Sequence, residues 1–184
     1  MTTITVQVSA GDEDAHQYGG TGTVDPTGNV LNASASNQWV GLAFNAAGLW
    51  DIQDTIITSA WLELYFTSGS LDDPDVTIYG YSDPGQWDAF TAVNNQISGL
   101  SSTTATVNWT AGGVGTGWKT SPDIKTVIQE IADMSGWIGN SICIVYKGNA
   151  GATGMRIRSY EGDSSQAAKL VINYETVSSG QPMT

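Results

Sequence analysis

Apolar and polar residues alternate with period two along most of this chain. Ile4, Val6 and Val8 alternate with Thr3, Thr5 and Gln7, and Val40, Leu42 and Phe44 alternate with Trp39, Gly41 and Ala43. Ala60, Leu62, Leu64 and Phe66 share one face, with Trp61, Glu63 and Tyr65 on the other. The pattern returns at Val76 and Ile78, at Ala105, Val107 and Trp109, at Ile142, Ile144 and Tyr146, and at Leu170, Ile172 and Tyr174. Arg156–Tyr160 reads as a further short strand. Successive side chains of an extended strand point to opposite faces, so each run predicts a half-buried strand. Turn residues separate the runs: Asp25-Pro26-Thr27-Gly28, Asp72-Asp73-Pro74-Asp75, Asp83-Pro84-Gly85 and Lys147-Gly148-Asn149-Ala150-Gly151. About eight strands so spaced predict an all-β fold, a jelly-roll β-sandwich.

The period changes once. Ser121 is a favourable N-cap, Pro122 suits a first helical position, and Asp123 suits the positive end of a helix dipole. Ile124, Val127, Ile128 and Ile131 then follow helical spacing, and Gly136 is a stop signal. The spacing predicts one short amphipathic helix, a lid on one end of the sandwich. Residues 1–176 read as a single domain. Residues 177–184 carry no periodicity and read as an arm or tail.

Composition supports the β reading and narrows the partners. Charged residues make up 13% of the chain, against about 25% in a typical globular domain. Seven Trp and seven Tyr supply enough apolar area to argue against disorder. Cys143 is the lone cysteine, which excludes an internal disulfide and reads as a small buried hydrophobe. The N-terminus lacks the basic and apolar regions of a signal peptide, so none is expected. No apolar run approaches the ~18 residues of a membrane helix.

The charge is lopsided. Residues 1–118 contain twelve acids and no Lys or Arg, while the remainder holds six of each sign. Nucleic-acid affinity rests on cationic side chains that displace counterions, so such a surface argues against nucleic acid and against anionic membranes. Arg156 and Arg158 belong to the small cationic set and form a candidate docking surface for an acidic protein neighbour.

Several motifs invite a chemical reading. Gly112-Gly113-Val114-Gly115-Thr116-Gly117-Trp118-Lys119-Thr120 resembles a phosphate-binding loop, but Trp118 stands between Gly117 and Lys119, and a flexible loop is the better reading. His16 is the only histidine; with no nucleophile elbow in the chain, it reads as a loop residue. Asp12 and Asp14 follow the first strand, and Glu161 and Asp163 precede the last. Clustered carboxylates suit calcium, which takes six to eight oxygens, so these four residues are the candidate ligands of a shared structural calcium. Trp39, Trp61, Trp87 and Trp118 are candidate ligand or partner contacts, because exposed aromatic faces grip sugar rings and proteins. The alternative for these tryptophans is burial under loops folded back over the outer face.

The runs Val40-Gly41-Leu42-Ala43-Phe44, Ile57-Thr58-Ser59-Ala60-Trp61-Leu62-Glu63-Leu64, Thr104-Ala105-Thr106-Val107-Asn108-Trp109, Ser121-Pro122-Asp123-Ile124, Ile128-Gln129-Glu130-Ile131, Gly136-Trp137, Gly139-Asn140 and Leu170-Val171-Ile172-Asn173-Tyr174 stand in a recognisable order. The chain resembles the disaggregatase-related, DNRLRE-type β-sandwich domains over about residues 4–175. The resemblance implies a fold like that of jelly-roll carbohydrate-binding modules, found on secreted proteins and in phage virion proteins. It implies no catalytic set, and Ala43 stands where that family typically has a basic residue.

Three functions follow as expectations. The leading one is a non-catalytic structural or decorating subunit of a larger assembly: a phage virion accessory protein for capsid decoration, cementing or tail association. Such a protein is made in the host cytoplasm, resides in the virion, and contacts protein neighbours as a homo-oligomer. The second is a carbohydrate-binding module that takes a polysaccharide and is stabilised by calcium. The third is an enzyme, for which the sequence offers only scattered acids.

Overall fold

The computed structural model describes residues 1–33, 35–67, 74–83, 87, 89–137, 139, 141–149 and 154–176. The expected tail, 177–184, and parts of three expected turns lie outside these residues. Two antiparallel sheets form a jelly-roll-like sandwich. The first sheet contains β1 (Thr2–Gln7), β12 (Lys169–Thr176), β6 (Thr55–Phe66), β11 (Met155–Arg158) and β4 (Val30–Ala33) in that order, with β9 (Gly117–Thr120) also paired to β6. The second runs β3 (Val24–Asp25), β2 (Asp14–Gln17), β5 (Trp39–Asn45), β10 (Ser141–Gly148), β7 (Asp75–Tyr81) and β8 (Ser102–Thr110).

All eight expected strands form, and four more join them among the described residues: β2, β3, β4 and β9. The inward faces meet as the periodicity requires. Leu62, Leu64 and Phe66 of β6 pack with Val40, Leu42 and Phe44 of β5 and with Ile142, Ile144 and Tyr146 of β10. Trp109 lies on the core side, its ring edge-on to Phe66 at 5.8 Å. Tyr174 and Ile172 of the last strand pair with Thr2 and Ile4 of the first, which ties the N-terminus into the sheet.

The helix differs from its expected start. α1 spans Lys125–Ala132, three residues after Pro122. Ser121 does not cap it. Its hydroxyl accepts the Leu62 N–H and its own N–H donates to the Leu62 carbonyl, so the chain still follows β6 there. Ile124 is the N-cap residue, without a side-chain cap, and Asp123 before it accepts the Lys125 N–H at 2.9 Å and the Ala60 N–H at 2.9 Å. Ile124, Val127, Ile128 and Ile131 are buried as the stripe predicts.

Candidate functional site

The sandwich has two outer faces, and the chain treats them differently. On the second sheet, Ala15, Ala43, Cys143 and Val145 point away from the main core, yet all are buried. The segment between β7 and β8 folds back over them. Trp87, Phe90 and Ile97 make a second apolar cluster there, packed against Trp39, Tyr79 and Tyr81. Gly41 of β5 leaves the space that the Phe90 ring fills; a Cβ at that position would meet the ring. Hydrogen bonds pin the segment: Gln17 Oε1 accepts the Ile97 and Ser98 N–H groups, and the Phe90 N–H donates to the Asp12 carbonyl at 2.7 Å. Burial pushes the Cys143 thiol up, as expected of an inert core residue. Trp87 and Trp39 therefore serve this cover. Trp87 is 9% exposed and stacks near Tyr81 and Phe90, and Lys147 sits 5.5 Å from the centre of the Trp39 ring. As a ligand contact Trp87 is corrected, because its ring lies inside the cluster.

No such cover lies on the first sheet among the described residues. Trp61, Glu63 and Tyr65 project outward from β6, each partly exposed. Trp118 comes from β9, a strand where a flexible loop was expected. It stands directly opposite Tyr65 in register, so the two share a face. Their rings meet edge to face at 5.6 Å, and Trp118 keeps 40% of its surface exposed. Lys169 of β12 places its ammonium 4.3 Å above the Trp118 ring. Trp61 donates its indole N–H to Glu63 at 3.4 Å. Tyr65 and Trp118 thus form a perpendicular ring pair on paired strands, with Trp61 further along the same face of β6.

The same face continues into a cleft of about 510 Å³ lined by Tyr18, Val30, Asn32, Gln38, Thr67, Arg156 and Arg158. Arg156 pairs in register with Asn32, and Arg158 with Val30. Met155 and Ile157 point into the core, so both arginines face outward. Arg158 Nε is buried without a hydrogen-bond partner. The sequence singles out the two arginines by charge alone, and their placement on one face comes from β11. The lining from Tyr18, Asn32, Gln38 and Thr67 was missed, because it depends on how β4 and the ends of β2 and β6 meet.

The proposed calcium ligands do not assemble. Asp14 and Glu161 come together side chain to side chain. Asp163 turns away to accept the Ser165 N–H and hydroxyl at 3.0 and 2.7 Å, capping a short 3-10 turn, which holds its carboxyl below the usual range. Asp12 is exposed. Among the described residues no group of three or more His, Cys, Asp or Glu side chains is placed to hold a metal ion. The four-residue site is thus corrected to a carboxyl pair. Asp14 is fully buried; one oxygen accepts the Tyr160 N–H at 2.8 Å and the other has no partner. Burial, aided by Glu161 and Glu13, pushes its carboxyl up to about 7. The Glu161 carboxyl, raised chiefly by burial, occupies the space beside Gly11. Of the pair, Asp14 is enclosed and Glu161 stands at the exposed end.

His16 is likewise corrected: it is a strand residue of β2, 2% exposed, not a loop residue. Its ring lies edge-on to Tyr18 at 4.5 Å, and burial lowers its pKa against the opposing pull of Asp25.

Comparison with protein-family models finds no match, and neither does comparison with curated proteins. Among solved structures, the exo-β-1,3-galactanase of Phanerochaete chrysosporium with galactose aligns at 12% identity and a TM-score of 0.35. A variant of that enzyme with β-1,3-galactotriose aligns at 12% identity and a TM-score of 0.36. Each alignment covers 94% of this chain but 30% of the galactanase chain.

Proposed function

We propose that this chain is a non-catalytic carbohydrate-binding domain whose working surface is the outer face of the first sheet. The observation that carries the reading is the outward set of Trp61, Tyr65 and Trp118, over which no segment folds among the described residues, on a sandwich whose other face is packed under Trp87 and Phe90. Flat, pre-positioned aromatic rings offer sugar rings an apolar contact at little entropic cost. The resemblance to DNRLRE-type domains points the same way. Affinity electrophoresis through a panel of soluble polysaccharides tests it. At least one polysaccharide should retard the wild type, and Trp118→Ala should weaken that retardation about tenfold or more, the equivalent of ~1.4 kcal/mol. Free migration through the whole panel would overturn the reading.

A second reading is the decorating subunit of an assembly such as a phage particle. It is favoured by large apolar side chains exposed away from these rings, Trp50 at 52% and Ile56 at 55%. Monomeric soluble proteins gather such residues into patches mainly where partners dock.

A further inference from the structure

The residues around Trp50 form a knob with a defined chemistry. They belong to a 3-10 turn, Ala47–Ile52, which buries Leu49 and Ile52 in the core. Gln53 fixes the turn by donating to the Trp137 carbonyl at 3.1 Å, and Thr55 does so by donating to the Ile52 carbonyl at 2.7 Å. Trp50, Asp51, Asp54 and Ile56 remain exposed around this anchored turn. The knob is therefore both apolar and acidic, and it is held still.

The cleft beside Arg156 and Arg158 has the complementary chemistry. Its volume of about 510 Å³ falls among pockets that hold whole ligands, ~300–1,000 Å³, which is ample for an indole. Tyr18 and Val30 supply apolar wall, and the arginines supply charge. Arg156 is exposed and Arg158 partly so, and both line the cleft.

Knob and cleft sit at opposite ends of one element. The knob precedes Thr55, and Thr67 of the cleft follows Phe66, with the twelve residues of β6 between them. At ~3.3 Å per residue that separation is about 40 Å. One molecule cannot fill its own cleft, so a second copy must supply the knob. We infer that the knob of one copy seats in the arginine cleft of another copy of this chain. A two-fold axis seats both knobs in both clefts of an antiparallel dimer, whereas a rotation without that symmetry closes into a ring or runs on as a chain.

Each copy carries a net charge of −12, which opposes association at long range. Near physiological salt the Debye length is ~8 Å, so that repulsion is screened while contacting pairs of Asp and Arg are screened much less. Association should therefore strengthen as salt rises from very low concentration toward physiological, a direction opposite to a simple ion pair.

The test is sedimentation velocity across a concentration series at physiological salt, with folding followed by circular dichroism. Wild type should show an average mass that rises with concentration. Arg156→Glu with Arg158→Glu, and separately Asp51→Arg with Asp54→Arg, should each remain monomeric. Mixing those two variants should restore association, because each supplies the charge the other now lacks and both must be folded to do so. Trp50→Ala, at an exposed position, should weaken association without unfolding the chain. A wild type that stays monomeric overturns the inference, as do reversed variants that associate like wild type, or a mixture that fails to recover. Polysaccharide retardation by the monomeric variants reports on sugar binding separately.

Discussion

The two outer faces of this sandwich begin from similar sequence, and a covering segment packs on one but, among the described residues, not on the other. Both present aromatic residues on the outward register: Trp39, Tyr79 and Tyr81 on the second sheet, and Trp61, Tyr65 and Trp118 on the first. On the second, a segment carrying Trp87, Phe90 and Ile97 builds an auxiliary core against which they pack, each still partly exposed. On the first, the partners are other strand residues, and the rings stay open. The lesson is that aromatic content does not mark a binding face; what decides is whether the chain supplies its own cover.

The covered face should break most dramatically. Phe90 is 1% exposed and fills the space above Gly41, so Phe90→Ala should cost about 3–5 kcal/mol. At ~2–4 °C per kcal/mol for a chain of this size, the melting temperature should fall by about 10 °C. Cys143 reports on the same cover. Sealed in the wild type, it should react with a thiol reagent only on local opening, and Phe90→Ala should accelerate that reaction about tenfold for every 1.4 kcal/mol of opening energy lost.

The junction between β2 and the turn after β11 responds to pH instead. The folded chain holds the Asp14 carboxyl at about 7, against 3.8 ordinarily. Protonation is thus favoured by folding. The stabilising contribution is fully present below about pH 4 and is lost as pH rises through 7. Above pH 7 a buried charge persists, costing about 4 kcal/mol at most at ~1.36 kcal/mol per unit. Asp14→Asn should therefore raise the melting temperature at pH 8 and leave it nearly unchanged near pH 4. Equal effects at both would contradict a titrating carboxyl.

The open face should matter least to stability. Lys169→Ala removes a cation over the Trp118 ring and should cost at most ~0.5–1 kcal/mol. Trp118→Ala should stay within about 1 kcal/mol, because the ring is only partly buried. Differential scanning calorimetry resolves both from the Phe90 variant.

Much of this contrast was hidden from the sequence, for physical reasons. β6 was legible because it alternates cleanly and buries one face, and β10 because its apolar run is bounded by turn residues. β2 was not, since Asp14-Ala15-His16-Gln17 is buried on both faces yet mostly polar. β9 was not, since Gly117-Trp118-Lys119-Thr120 reads as a loop until Tyr65 supplies its register partner. The covering segment has no period to detect, because it packs through single anchors, so Trp87 looked as free as Trp118. The arginine pair was legible from the scarcity of cationic residues, whereas the calcium set failed because adjacency in sequence does not settle where Asp163 points.

The most direct measurement is calorimetric titration of one retained polysaccharide into wild type, Trp61→Ala, Trp118→Ala and Trp39→Ala, all confirmed folded. If the uncovered face binds, the first two substitutions weaken binding about tenfold or more and Trp39→Ala leaves it unchanged. Loss of binding with Trp39→Ala, and its retention with Trp61→Ala and Trp118→Ala, would contradict the account.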